Sequence, residues 1–323
     1  MKKISKIFYL GLMILVVPGF AVVGQSRSEG KVKTGTFNPK DVVNISTASG
    51  EIVVRAENVS EIAVEVVYTH SQESYDPQFI EKNGELLLRE EFHGSSRRGR
   101  ATWTVTVPKN TRIDGNSASG EITVQGLEAK CTLSTASGEI GVSRSSGNLR
   151  INTASGRVEV KDHRGDISLG SASGNLTLKG IDGNVKANSA SGRITIENVE
   201  GLLDLNTASG KIRGDSIAIG HHSNVSSASG SVSISLSQSL EYDVTINTAS
   251  GNATLDYAGN RVAGQFVFEA RQDRGRIISP FDFDTETTFV RNGHTYDRKS
   301  FVRGSETPKI RLSTASGTMR LRR

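Results

Sequence analysis

The residues best suited to acid–base chemistry lie in one aromatic-rich stretch near the C-terminus, residues 261–308. Four of its carboxylates and its histidine cluster among phenylalanines and a tyrosine: Asp282, Asp284, Glu286, His294 and Asp297. Paired carboxylates cleave glycosidic bonds, so one hypothesis is a carbohydrate-active enzyme of the polysaccharide lyase or hydrolase type with its site in this segment. The interpretation that we favour is that these side chains form the polar surface of a cap.

The remaining titratable side chains give weaker signals. Asp182 and Glu200 occupy equivalent positions 18 residues apart, where solvated charges between strands are the simplest interpretation. We expect His163 to face solvent, and the His221-His222 pair to lie on an exposed bulge without the further ligands that a metal site needs. The sequence therefore predicts no catalytic, cofactor-binding or metal-ligating residue.

The structural elements that carry these residues can be inferred from a repeated tetrapeptide. Ten copies of Ser/Thr-Ala-Ser-Gly occur, and six successive copies, from the one ending at Gly120 to the one ending at Gly210, are spaced by 18 residues. A short fixed period means that one small unit is stacked on itself, each copy burying the apolar face of the next. We predict that the final glycines of the ten copies are structural corner residues: Gly50, Gly120, Gly138, Gly156, Gly174, Gly192, Gly210, Gly230, Gly251 and Gly317.

Each 18-residue unit holds two short strands. Counting from the motif glycine, apolar residues recur at positions +2 and +4, as in Ile140 and Val142, and at +11 and +13, as in Leu149 and Ile151. Alternation of this kind with many β-branched residues is typical of half-buried strands. Cys131 occupies a +11 position, so we interpret it as a small core side chain and not as a nucleophile. The pattern predicts an all-β solenoid with 18-residue turns.

The connections between these strands must be corners, because they span an odd number of residues and break the alternation. Glycine adopts a positive φ at little cost, so we expect this backbone conformation at the motif glycines. On that ground we predict that Gly156→Val destabilises the protein more than Arg157→Val. The Ser and Thr hydroxyls of the motif are expected to bond to nearby backbone groups, and a preceding Asn, such as Asn206, to hydrogen-bond along the stack.

The repeat runs through most of the 323 residues, which predicts one elongated unit with irregular β caps at both ends. Residues 1–24 have the basic start and apolar stretch of a secretory signal peptide, so we expect export to the periplasm, the cell surface or the medium. Anchoring by an uncleaved N-terminal segment is the alternative. The rest divides into an N-terminal β-rich cap with the first solenoid turns, the regular solenoid, an irregular C-terminal cap and a closing strand turn: residues 25–115, 116–260, 261–308 and 309–323.

Charge and composition narrow the class of partner. The formal net charge is +5, of which the signal segment supplies three lysines, and this balance argues against nucleic acid. Basic clusters remain at residues 97–100 and 320–323, so contact with a membrane surface stays open. No Phe, Tyr or Trp occurs in residues 104–241, so a glycan site would have to use the ends. Exposed sheet edges leave end-to-end self-association open as well.

Three features together resemble the DUF4097 family of adhesin-like bacterial envelope proteins, which is related to head-GIN domain proteins. They are the Ala-Ser-Gly-x-Ile-x-Val units, the run from Thr102 to Pro108 that leads into residues 116–121, and the ending from Ile310 to Gly317. The resemblance covers residues 35–323 and implies a single-stranded right-handed parallel β-helix with an envelope role, sometimes tied to stress. It supplies no catalytic or ligand residues.

These observations predict a non-enzymatic envelope or secreted protein that needs no cofactor. Its solenoid would act as a rigid scaffold for adhesion or for contact with envelope polymers. The expected partner is a cell-envelope polysaccharide, peptidoglycan or another surface partner, contacted through the irregular ends or loops.

Overall fold

The computed structural model describes residues 30–94 and 98–323, and the predicted signal peptide lies outside them. Within these residues the protein is all-β, with two long sheets: sheet 1 has 14 strands and sheet 2 has 15. None of these residues forms a helix long and apolar enough to span a membrane. The predicted fold class, an all-β parallel solenoid with caps, is confirmed.

The N-terminal end departs from simple stacking order. Its strands are β1 (Lys31–Phe37), β2 (Val42–Thr47), β3 (Glu51–Glu57), β4 (Ile62–Tyr68), β5 (Tyr75–Lys82), β6 (Glu85–Phe92) and β7 (Ala101–Pro108). In sheet 1, β7 runs parallel to β3, β4 pairs antiparallel with β7, and β1 pairs antiparallel with β4. In sheet 2, β6 runs parallel to β2 and forms an antiparallel hairpin with β5. Strands β1 and β4–β7 therefore build a cap outside the first motif turn.

The regular body alternates between the two sheets. Its strands are β8 (Arg112–Ser117), β9 (Ile122–Gln125), β10 (Cys131–Thr135), β11 (Ile140–Ser146), β12 (Leu149–Thr153), β13 (Val158–Arg164), β14 (Ile167–Ser171), β15 (Leu176–Asp182), β16 (Val185–Ser189), β17 (Ile194–Gly201), β18 (Leu203–Thr207), β19 (Ile212–Ile219), β20 (Ser223–Ser227), β21 (Val232–Leu236), β22 (Val244–Thr248) and β23 (Ala253–Asp256). Even-numbered strands lie in sheet 2 and odd-numbered strands in sheet 1. Neighbours run parallel, and up to β19 residues 18 apart are paired, as Cys131 is with Leu149 and Leu149 with Ile167. Beyond β19 most paired residues are 20 or 21 apart.

The C-terminal end is capped in the same way as the N-terminal end, by additional strands outside the last motif turn. Its strands are β24 (Gly264–Arg271), β25 (Gly275–Ile278), β26 (Thr285–Arg291), β27 (His294–Arg303), β28 (Lys309–Thr314) and β29 (Gly317–Arg322). The last two strands stack on β22 and β23. The earlier strands β24 and β25 then lie outside them, and the antiparallel strands β27 and β26 extend sheet 2 further.

The core lies between the two sheets. The +2, +4, +11 and +13 side chains point into it, and Ile140, Val142, Leu149 and Ile151 are at most 2% exposed. Cys131 is buried among them, and burial raises the pKa of its thiol to about 12, so the thiol is protonated and unreactive. Large aromatic side chains fill the core near the two ends, where the regular pattern stops.

The long gaps in the repeat are insertions along the chain and not gaps in the stack. Thr47 and Ser117 are 70 residues apart, yet they pair in sheet 2 and their hydroxyl oxygens are 3.1 Å apart. In the same way Thr248 pairs with Thr314 beyond the second insertion. All ten motif copies therefore form one continuous column, and the inserted residues form the caps.

The expectation of a positive φ at the motif glycines is wrong for nine of the ten, since only Gly317 has one, at 134°. Glycine is needed because the backbones of successive turns approach closely here. A Cβ placed on Gly156 would lie 1.8 Å from the carbonyl oxygen of Gly138, and contacts of 1.7–2.1 Å to the preceding turn recur from Gly120 to Gly251. Positive φ angles occur instead at the opposite corner, for example 101° at Gly147.

Hydrogen bonds to the first motif residue close the corner. The N–H of Gly156 donates to Thr153 Oγ1 at 2.8 Å, and the same bond recurs in other turns. The backbone of each corner is also hydrogen-bonded to the preceding turn, as where Ser155 N donates to Ala136 O at 2.9 Å. The Ala and Ser side chains of the motif remain exposed on the outside of this corner in the body of the solenoid.

One interior column was not predicted. Position +6 has a positive φ even without glycine, 51° at Arg144 and 52° at Asp162. This reverses the alternation and turns the +7 side chain inward, where Ile181 is 2% exposed. His163 occupies the same column and is 3% exposed, so the expectation that it faces solvent is wrong.

Candidate ligand-binding groove

A groove follows the outer face of sheet 2, beside the corner that carries the motif. Stacking places equivalent residues above one another, so the residue before the motif and the first two motif residues line it turn after turn. The C-terminal half has a volume of about 890 Å³ and the N-terminal half about 660 Å³. Both halves include Gly170, which lacks a side chain that could separate them.

The lining is uncharged over most of its length. In most turns it consists of an Asn or Ser before the motif, a buried Ser or Thr, and the exposed methyl group of Ala, for example Asn206, Thr207 and Ala208. Asn206 Nδ2 donates to Asn188 Oδ1 at 3.3 Å, a contact of the kind expected along the stack. Amide and hydroxyl groups beside small apolar surfaces suit ligands that are polar but carry apolar faces, as sugar rings do.

A carboxylate and two arginines stand at the C-terminal end of the groove. Glu269 is in register with Ser313, in the column that precedes the motif, and its side chain is 4% exposed. Arg291 Nη2 donates to Glu269 Oε2 at 2.9 Å, while Arg298 donates to Oε1 from Nε at 3.1 Å and from Nη2 at 2.8 Å. Burial acts to raise the pKa of Glu269, but the two guanidinium groups outweigh it and hold the pKa below its usual value.

Two aromatic rings complete this end. Phe289 and Tyr296 are cross-strand neighbours with ring centroids 5.5 Å apart. The Arg291 guanidinium lies 5.1 Å from the Phe289 centroid and 5.4 Å from that of Tyr296, within range of a cation–π attraction. Tyr296 lines the groove. We call these residues the end wall: Glu269, Phe289, Arg291, Tyr296 and Arg298.

The end wall suits binding better than proton transfer. Glu269 is ionised at neutral pH because its pKa is lowered, so it cannot serve as a general acid there. Among the groove-lining residues that the structure describes, Glu269 is the only carboxylate, whereas glycoside hydrolysis uses two. Its pairing with the arginines fixes their positions instead.

The four carboxylates and the histidine that the sequence analysis singled out do not line the groove: Asp282, Asp284, Glu286, His294 and Asp297. Asp284 Oδ2 accepts a hydrogen bond from Val302 N at 2.8 Å, and Glu286 pairs with Lys299 at 2.7 Å. By strand register, Glu286 and Asp297 share the face of β26 and β27 opposite to Arg298. Sequence reasoning missed Glu269, which looks like an ordinary outward residue of an alternating strand.

His163 is a buried base inside the solenoid. Its Nε2 lies 3.0 Å from Gly147 O and its Nδ1 2.8 Å from Ser145 Oγ. A carbonyl only accepts, so Nε2 carries the proton and Nδ1 accepts from the Ser145 hydroxyl. Burial lowers the pKa of His163, which keeps it neutral at pH 7.

His163 is expected to make the protein less stable as the pH falls from 7.5 to 5.5. The unfolded chain takes up a proton on this histidine near pH 6.5, whereas the folded state with its lowered pKa resists it, so acid favours unfolding. His163→Ile, which copies Ile181 of the next turn, should reduce this slope in urea unfolding at the two pH values. The exposed His221→Gln is the control and should keep the slope; an unchanged slope in His163→Ile would contradict the assignment.

The other candidate residues lie on the surface. His221 and His222 are exposed, and Asp182 pairs with Arg164 at 3.2 Å, with both side chains largely in solvent. Within residues 30–94 and 98–323, no three His, Cys, Asp or Glu side chains are grouped so that they could hold a metal ion. Of the basic cluster at residues 97–100, Arg97 lies outside the described part of the chain.

The fold and the groove define a class of protein, a two-sheet parallel β-solenoid with a mostly uncharged groove on one sheet. The sequence profile of the Toastrack DUF4097 family matches residues 40–322, and the chain belongs to this family. The resemblance found in the sequence is thereby confirmed.

Several solved structures are similar to this chain at low identity. One is a candidate adhesin from Parabacteroides distasonis, with 12% identity over 90% of this chain and 98% of that chain and a TM-score of 0.40. A candidate lipid-binding protein from the same organism has 13% identity over 90% and 97%, with a TM-score of 0.40. A candidate cell adhesion protein from Clostridium sporogenes has 9% identity over 91% and 99%, with a TM-score of 0.21. No curated protein matches the chain significantly.

Proposed function

We propose that the protein is a non-enzymatic, adhesin-type envelope protein whose groove binds an extended polysaccharide. The observation that carries this proposal is the repetition of the lining. Successive turns present an amide or hydroxyl group from the residue before the motif and a methyl group from the motif Ala, about 4.8 Å apart, the spacing of paired strands. A polymer of similar units would therefore meet similar contacts at each turn, and the contacts would add along its length.

The rigidity of the groove supports the proposal. The lining residues lie on strands and on corners whose backbone is bonded to the preceding turn, as Ala208 N is to Ser189 O at 3.1 Å. A preorganised surface spends little conformational entropy on binding. The contacts proposed here therefore involve the solenoid face itself as well as its C-terminal end, whereas the sequence analysis assigned contact to the ends and loops.

Export to the envelope is part of the same proposal. It rests on the signal-like composition of residues 1–24 and on membership of the DUF4097 family. A surface or periplasmic location would place the groove among peptidoglycan strands and surface polysaccharides, which are the polymers that it would meet there.

The test is co-sedimentation of the purified protein with peptidoglycan, with surface polysaccharide and with anionic lipid vesicles, at low and high salt. We expect saturable retention on one polysaccharide that largely survives high salt, because most of the groove is uncharged, and no change in the polymer's length. Retention only on vesicles, or no retention, would contradict the proposal. Shortening of the polymer would instead support the carbohydrate-active enzyme.

A further inference from the structure

The end wall carries an excess of positive charge where the groove is otherwise neutral. Two guanidinium groups share the single carboxylate of Glu269, which leaves one positive charge uncompensated within this cluster. Glu269 and Arg291 are the only charged residues among the described residues that line the two halves of the groove. A ligand that extends along the groove therefore meets a cation at one place, its C-terminal end.

Arg291 has the freedom to contact a ligand. Arg298 uses two of its nitrogens on Oε1 of Glu269, whereas Arg291 directs Nη2 alone to Oε2. A guanidinium group carries five N–H donors in a planar fork that matches a carboxylate. The Arg291 side chain is 49% exposed while Glu269 is buried beneath it. Glu269 thus holds Arg291 in place without using up its donors.

The aromatic rings narrow the chemistry of the ligand. The rings of Phe289 and Tyr296 lie beside the Arg291 guanidinium, and Tyr296 lines the groove. A ring face next to a guanidinium group suits a unit that has both an apolar face and an anionic substituent. A sugar that carries a carboxylate has both.

We propose that the end wall is a subsite for a carboxylated sugar unit of the bound polymer. The inference rests on the proposed function, since it assigns the charge of a ligand that the groove as a whole would bind. In this subsite Arg291 donates to the sugar carboxylate, Tyr296 contacts the ring, and Glu269 with Arg298 positions Arg291.

The test compares oligogalacturonate with its methyl ester, which has the same sugars without the charge. The purified protein is expected to bind the acid at least about tenfold more tightly at low salt, the effect of one hydrogen bond between charged groups. Raising the salt should weaken binding of the acid more than binding of the ester. Equal affinities, or binding of neither compound, would overturn the inference, while the sedimentation experiment with envelope polymers decides the proposed function separately.

Two variants test whether the preference for the acid over the ester arises at the end wall. Arg291→Gln should abolish the preference for the acid and leave binding of the ester unchanged, with Arg298 still paired to Glu269. Arg303→Gln, on the same strand as Tyr296 but with its guanidinium 4.3 Å from the Phe281 ring, is the control and should keep the preference. A preference that survives in Arg291→Gln would overturn the inference. So would equal competition by poly-L-glutamate, which carries carboxylates but no sugar rings.

Discussion

Gly156→Ala is expected to destabilise the solenoid by about 3 kcal/mol, although alanine adds only one methyl group. The new Cβ would lie 1.8 Å from Gly138 O, which belongs to the backbone of the preceding turn and has no rotamer to relieve the contact. Relief requires the two turns to separate, which disturbs the hydrogen bonds between Ala154 and Ser155 and that turn. Urea unfolding of the variant measures the loss.

Gly141→Ala, in the adjacent turn, is the matched control. A Cβ at Gly141 would meet its nearest atom, Thr123 Oγ1, at 3.9 Å, which is ordinary contact, so stability should change little. The predicted order for valine, Gly156→Val more damaging than Arg157→Val, also stands, now because of crowding. Equal losses in the two alanine variants would contradict the close stacking of motif corners.

Replacing both arginines of the end wall is expected to lower the free energy of unfolding by about 3–5 kcal/mol at neutral pH. In Arg291→Met/Arg298→Met, uncharged side chains of similar length still cover the carboxylate of Glu269, which is 4% exposed in the wild type, but its charged partners are lost. Breaking a buried ion pair in this way leaves an uncompensated charge, whose pKa then rises through burial. Urea unfolding at pH 7 gives the cost.

The pH dependence of the stability that Glu269 contributes should change sign between the wild type and the double variant. In the wild type the lowered pKa of Glu269 contributes stability at neutral pH that is lost as the pH falls through the folded-state pKa. In the double variant the raised pKa has the opposite effect, so acidification towards pH 4 should recover stability relative to a triple variant that also carries Glu269→Gln. If the double and triple variants had parallel pH profiles, Glu269 would not be the buried charge that the arginines compensate.

The sequence predicted the parts of the structure that repeat. The 18-residue period determines that Cys131 pairs with Leu149, and the apolar positions that follow from it are the observed core columns. Packing in a stacked solenoid depends on neighbours one turn away, so local periodicity carries most of the fold.

What the sequence did not predict depends on contacts distant along the chain or on backbone conformation. Thr47 pairs with Ser117 although they are 70 residues apart, and the 18-residue period does not predict this pairing. The prediction that His163 faces solvent was wrong because the positive φ of Asp162 reverses the alternation of side chains. The residue type at position 162 does not predict this backbone conformation. The end wall could not be predicted because Glu269 meets Arg291 and Arg298 only after β26 and β27 fold against β24.

The measurement that tests the central claim most directly is retention of Ala208→Trp on the polysaccharide that retains the wild type. Ala208 is exposed and lines the groove, so an indole there should obstruct the groove without entering the core. Thr195→Trp, on the outer face of sheet 1, adds the same side chain away from the groove. We predict that Ala208→Trp loses retention while Thr195→Trp keeps it; retention of both variants at the wild-type level would contradict binding in the groove.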